Sequence, residues 1–127
     1  MPRWEINTKK GRFYTGDLFE ANKMLKEKNA SKFSIWHKSV NVSVNLKNGT
    51  VWVNNKKYEF NLPSGTEFRW INFRRVEYQM TLATAPVFKG ASYYVGWQAT
   101  VNGKNVKVIV KINEEGEWDI ETQGVDI

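Results

Sequence analysis

SVNVSVNLKNGTVWVNNKKYEFNLPSG, Ser39 to Gly65, alternates apolar and polar residues and is interrupted twice by asparagine-rich turns. Successive side chains of an extended chain point to opposite sides, so Val40, Val42, Val44 and Leu46 fall on one face of a strand. Lys47 to Thr50 then reads as a turn, Val51 to Val53 as a short strand and NNKK as a second turn. Tyr58, Phe60 and Leu62 follow as a third apolar face before Pro63-Ser-Gly65.

The same period recurs toward the C-terminus. Tyr93, Val95, Trp97, Ala99 and Val101 alternate up to Asn102-Gly103, Val106, Val108, Val110 and Ile112 alternate down to the NEEGE segment, and Trp118 and Ile120 form a last strand. Asn-Gly, present at 48–49 and 102–103, favours primed hairpin turns because both central positions want positive φ. Val53-Asn-Asn-Lys56 and Val101-Asn-Gly-Lys104 share one pattern and predict hairpins of one type.

On the N-terminal side the period changes. Asp17-Leu-Phe-Glu20 has capping-box spacing and opens LFEANKMLKEKN, in which Leu18, Ala21, Met24 and Leu25 form an apolar stripe; a helix over about 17–29, ending near Asn29, is expected. Before it, RWEIN and RFY flank TKKG as a short hairpin. The fold class is therefore α+β and β-rich: one N-terminal helix and an antiparallel meander of roughly seven strands over about 31–122, arranged as a curved sheet, barrel or sandwich. A chain of 127 residues fits one domain, 1–127, with a frayed acidic terminus over about 123–127.

Composition narrows the chemistry. Without cysteine there is no disulfide framework, zinc ribbon or thiol nucleophile, which suits a reducing, cytoplasmic setting. No run of 18 apolar residues occurs and the N-terminus does not read as a signal peptide, so a membrane is not expected as a partner. Net charge is +6, unevenly spread: residues 1–32 carry +4, residues 33–90 carry +5 and residues 91–127 carry −3. Such an excess steers the chain toward polyanions or acidic protein faces.

Catalytic groups are sparse. His37, the sole histidine, sits between Trp36 and Lys38 and reads as a surface or half-buried strand residue rather than a general base. Asp119 and Glu121 share one strand face but need a further carboxylate to hold a divalent ion. Neither a GxxxxGK nor a GxGxxG loop occurs. No catalytic residue, cofactor or metal is assigned, and the expectation is a non-enzymatic binding protein.

FRWINFRR, Phe68 to Arg75, is the most unusual stretch. Simple alternation puts Arg69, Ile71, Phe73 and Arg75 on one side and Phe68 and Trp70 on the other, interrupted by Asn72 and Arg74. A bulge would rotate those last two outward and leave the first four as an external ridge; a turn at 72–75 is the alternative, disfavoured by the lack of Gly and Pro. Rings and guanidinium groups on an open sheet face hold single-stranded nucleic acid, by stacking on bases and by pairing with phosphates. The expected contacts are Trp52, Arg69, Phe73 and Arg75, surrounded by Lys9, Lys10, Arg12, Lys56, Lys57, Lys107 and Lys111. The same residue types suit an acidic protein partner, the alternative reading, since Trp, Tyr and Arg dominate protein hot spots. A third is a small-anion pocket in a barrel built on Asn72, Arg74 and Tyr78. Homo-oligomerisation by sheet extension is compatible with an exposed edge strand.

Overall fold

Alternation of period two, once begun at Lys32, produces two facing antiparallel sheets rather than one. A computed structural model describes residues 3–27, 30–71, 74–79, 89–113 and 115–125. The N-terminal hairpin is β1 (Arg3–Thr8) and β2 (Gly11–Thr15), followed by α1 (Leu18–Glu27). Then come β3 (Lys32–His37), β4 (Val40–Asn45), β5 (Val51–Val53) and β6 (Lys56–Tyr58). The second half supplies β7 (Arg69–Trp70), β8 (Arg74–Gln79), β9 (Lys89–Val101), β10 (Lys104–Asn113) and β11 (Trp118–Gln123). The first sheet runs β2-β1-β3-β4-β5-β6; the second runs β11-β10-β9, with β7 and β8 both on the other edge of β9. The fold is thus β-rich and antiparallel with one helix, as expected, and its sheets form a sandwich, not a closed barrel. From Lys32 onward the described residues make nine strands, β3 to β11, rather than about seven, with Phe68 to Arg75 divided between β7 and β8, and the expected N-terminal hairpin adds β1 and β2 to the first sheet.

The inward faces are those the alternation marks. Val40, Val42 and Val44 of β4 meet Val95, Trp97 and Ala99 of β9 and Val106, Val108 and Val110 of β10 in one core cluster, all buried. The helix closes the cluster beside β1 and β2 with Ala21 and Leu25. Its N-terminus is capped by Asp17, whose Oδ1 accepts from Phe19 N–H at 2.9 Å; the Asp17 N–H donates to Thr15 Oγ1 at 3.1 Å rather than to Glu20, so the cap is held from the preceding strand. Asn29, the expected helix end, lies outside the described residues.

Turn chemistry separates the two Asn-Gly sites. Asn102 and Gly103 both have positive φ (51° and 77°), as do Asn54 and Asn55 (48° and 72°), so the two matching hairpins do share a primed turn. At 48–49 only Gly49 is left-handed (φ 76°), and the loop is longer than two residues. Asn48 instead caps it, its Oδ1 accepting from Thr50 N–H at 2.9 Å. A Cβ on Gly49 would land on the Phe68 ring, and the Gly49 carbonyl accepts from Trp97 Nε1–H at 2.7 Å. This close approach ties the β4–β5 loop to the second sheet.

The register along β9 explains the irregularity of FRWINFRR. Trp70 pairs with Trp97 and Arg74 with Tyr94, so three residues separate the pairs on one side and two on the other. The registers of β7 and β8 on β9 are thus offset by one residue. This offset breaks the parity on which a continuous ridge depends. Arg69 is exposed, but Ile71, two residues on, is 8% exposed and its N–H donates to Gly96 O at 3.2 Å. The ridge is therefore interrupted at Ile71. Asn72 and Phe73 lie outside the described residues. Arg74, Arg75 and Tyr78 belong to β8, paired with Tyr94, Tyr93 and Gly90, and their side chains are likewise outside the description. His37 is a core residue, not a surface one: it is 5% exposed, with its ring edge-on to Tyr93 at 5.1 Å.

Candidate functional site

The outward side of the first sheet is set by what the inward side excludes. With Phe33, Ile35 and His37 committed to the core, Trp36 must face out, and the same parity puts Tyr14 outside Phe13 and Trp52 between the buried Val51 and Val53. Trp36, Trp52 and Tyr14 are 37%, 39% and 48% exposed. Cross-strand pairing aligns Tyr14, Glu5, Ser34, Ser43, Trp52 and Lys57 in one row over all six strands. At about 4.8 Å per strand, Tyr14 and Trp52 stand roughly 19 Å apart. On one side of that row lies Arg3-Trp36-Asn41, and on the other Arg12-Asn7-Lys32-Asn45.

Cations lie among these rings. The Arg3 guanidinium carbon is 5.0 Å from the Tyr14 centroid and 5.7 Å from that of Trp36, and Lys57 Nζ is 5.8 Å from the Trp52 ring. The centre is polar and ordered: Tyr14 O–H donates to Glu5 Oε1 at 2.7 Å, Arg12 Nη1 stands 3.9 Å from the same oxygen, and the Ser34 and Ser43 hydroxyls are 2.7 Å apart. Beside Glu5 a depression of about 440 Å³ is lined by Arg12, Lys32, Lys47 and the amides Asn7 and Asn45. The face offers rings for stacking, cations for phosphate and amides for hydrogen bonding.

Ser31 and Lys47 belong also to a second, larger cleft of about 850 Å³ at the end of the sandwich. It lies between the β1–β2 turn with Lys9 and Lys10, the end of α1 with Glu27, the β4–β5 loop with Lys47, and the Phe68-Arg69-Trp70 segment. The turn is built by Thr8, whose Oγ1 accepts from Lys10 N–H at 3.1 Å and donates to Gly11 O at 3.2 Å.

The residues expected from sequence to form one surface are thus distributed over several. Trp52, Arg12 and Lys57 are on the open face of the first sheet, and Lys9, Lys10 and Arg69 are in the end cleft, continuous with it. Lys56 is at the β5–β6 edge, its Nζ 5.1 Å from the Tyr58 ring. Lys107 and Lys111 are on β10 in the second sheet, where Lys111 pairs with Glu121 at 2.9 Å and lies over Tyr94. Sequence reasoning missed Arg3, Tyr14, Lys32 and Trp36. The signal was present in KFSIWH: once Phe33 and Ile35 point in, Trp36 points out. Among the described residues no three His, Asp or Glu side chains are grouped as a metal would require. No helix among them is long and apolar enough to cross a membrane. Comparison with protein-family models, curated proteins and solved structures finds no match to the chain.

Proposed function

We propose that this protein is a non-enzymatic, cytoplasmic binding protein that holds single-stranded nucleic acid on the open face of the first sheet. The observation that carries this reading is the set of three exposed rings, Tyr14, Trp36 and Trp52, interleaved with Arg3, Arg12, Lys32 and Lys57 on one side of a rigid six-stranded sheet. Bases stack on such rings whatever their identity, because every base has a π face, and each stacked base contributes about 1–3 kcal/mol. Guanidinium and ammonium groups beside the rings meet the phosphates, and the affinity they add falls with salt through counterion release.

The test is equilibrium binding of a fluorescent single-stranded oligonucleotide by anisotropy. Trp36→Ala with Trp52→Ala should weaken binding at least tenfold without altering the unfolding midpoint, since both rings stand out from the core. Log affinity should also fall linearly with log salt concentration. Undiminished binding by the double variant, or affinity indifferent to salt, contradicts the proposal. Absence of oligonucleotide binding together with association to an acidic protein through the same rings would instead support a protein-binding module.

A further inference from the structure

The end cleft has a composition that strand stacking alone does not require. Its lining brings four cations, Lys9, Lys10, Lys47 and Arg69, to one cavity against the single carboxylate of Glu27 among the described residues. Beneath them Phe68 and Trp70 are half-buried rings, and Phe68 is fixed edge-on to Trp97 at 4.7 Å. The walls are preformed. The β4–β5 loop is pinned by the Trp97 to Gly49 hydrogen bond, and Lys47 N–H donates to Asn45 Oδ1 at 2.8 Å; Thr8 fixes the turn bearing Lys9 and Lys10. An aromatic floor with a cationic rim is complementary to a planar, anionic molecule, and about 850 Å³ is ample for one nucleotide.

Through Ser31 and Lys47 the cleft opens onto the basic depression of the sheet face. We infer that it is a binding site for the terminal phosphorylated nucleotide of the strand: the base rests against Trp70 and the terminal phosphomonoester lies among Lys9, Lys10, Lys47 and Arg69. The monoester, rather than a chain diester, fits because it carries nearly two negative charges at neutral pH, which a rim of four cations can match. This inference rests on the proposed strand binding but makes a separate demand, that the protein distinguish ends.

The experiment compares four oligonucleotides of one sequence: 5′-phosphorylated, 3′-phosphorylated, unphosphorylated and circular. One phosphorylated linear form should bind at least tenfold more tightly than the circle, and the identity of that form gives the polarity of the strand. In Lys10→Gln with Arg69→Gln, both exposed positions, the ratio of phosphorylated linear to circular affinity should collapse toward one. Equal affinities for all four forms, or a ratio that survives the double substitution, overturn the end site while leaving strand binding in place. If no oligonucleotide binds, the strand reading fails, and a nucleoside 5′-monophosphate decides the cleft. A shift of the Trp70 indole resonance, assigned with Trp70→Phe, supports the site, and an unmoved resonance overturns it.

Discussion

Gly49 shows how one residue couples the two sheets. It combines a left-handed backbone with a position where the Phe68 ring occupies the space a Cβ would need, and its carbonyl anchors the Trp97 indole. Gly49→Ala strains the backbone and drives a methyl group into that ring. It is expected to lower stability by about 2 kcal/mol, read as a reduced urea midpoint at unchanged slope. A midpoint equal to that of the parent would show that the loop relaxes away from Phe68. The glycine was legible in sequence as a turn residue, but its contact was not, since Phe68 is nineteen positions away and its ring is placed by the register of the second sheet. Trp36 and Tyr14 were hidden by another cause: large rings read as core until the parity of their own strand is known.

At the scale of elements, alternation located the strands well where one face is buried. Both hairpins built on Val53-Asn-Asn-Lys56 and Val101-Asn-Gly-Lys104 formed as expected, as did the Asp17-capped helix and the β1–β2 hairpin. It did not carry across β7 and β8, which pair the same strand β9 in registers one residue apart, Trp70 with Trp97 and Arg74 with Tyr94. The β10–β11 connection shows what local sequence can specify when side-chain chemistry is strong. Asn113 is buried, and its Oδ1 accepts from Glu115 N–H at 3.0 Å and Glu117 N–H at 2.9 Å while Nδ2 donates to Glu117 Oε1 at 3.0 Å. Asn113→Ala removes the buried side chain that holds those backbone donors in a part-buried turn. A loss of about 2 kcal/mol is expected in thermal or urea unfolding. A change within a few tenths of a kcal/mol would mean that solvent satisfies the turn.

Over the whole molecule the two sheets divide the surface by chemistry. The outer side of the second sheet places Lys111 against Glu121 and carries Asp119 beside it, whereas the open side of the first sheet and the adjoining cleft gather rings and an excess of cations, of which Arg12 stands 3.9 Å from Glu5 and Lys57 2.7 Å from Glu59. The unequal charge along the chain foretold a basic region, and its location required the fold, because Arg3, Arg12, Lys32 and Lys57 meet only through strand pairing. The tryptophans report directly on which surface is used: Trp36 and Trp52 lie on the proposed face, Trp4 and Trp97 are buried, and Trp118 is on β11 of the second sheet. The decisive measurement is therefore a titration of the protein with a single-stranded oligonucleotide, followed through the indole N–H resonances. Strand binding on the open face predicts large shifts for Trp36 and Trp52 with Trp4, Trp97 and Trp118 nearly unmoved; shifts confined to Trp118, or none at saturating oligonucleotide, would contradict it.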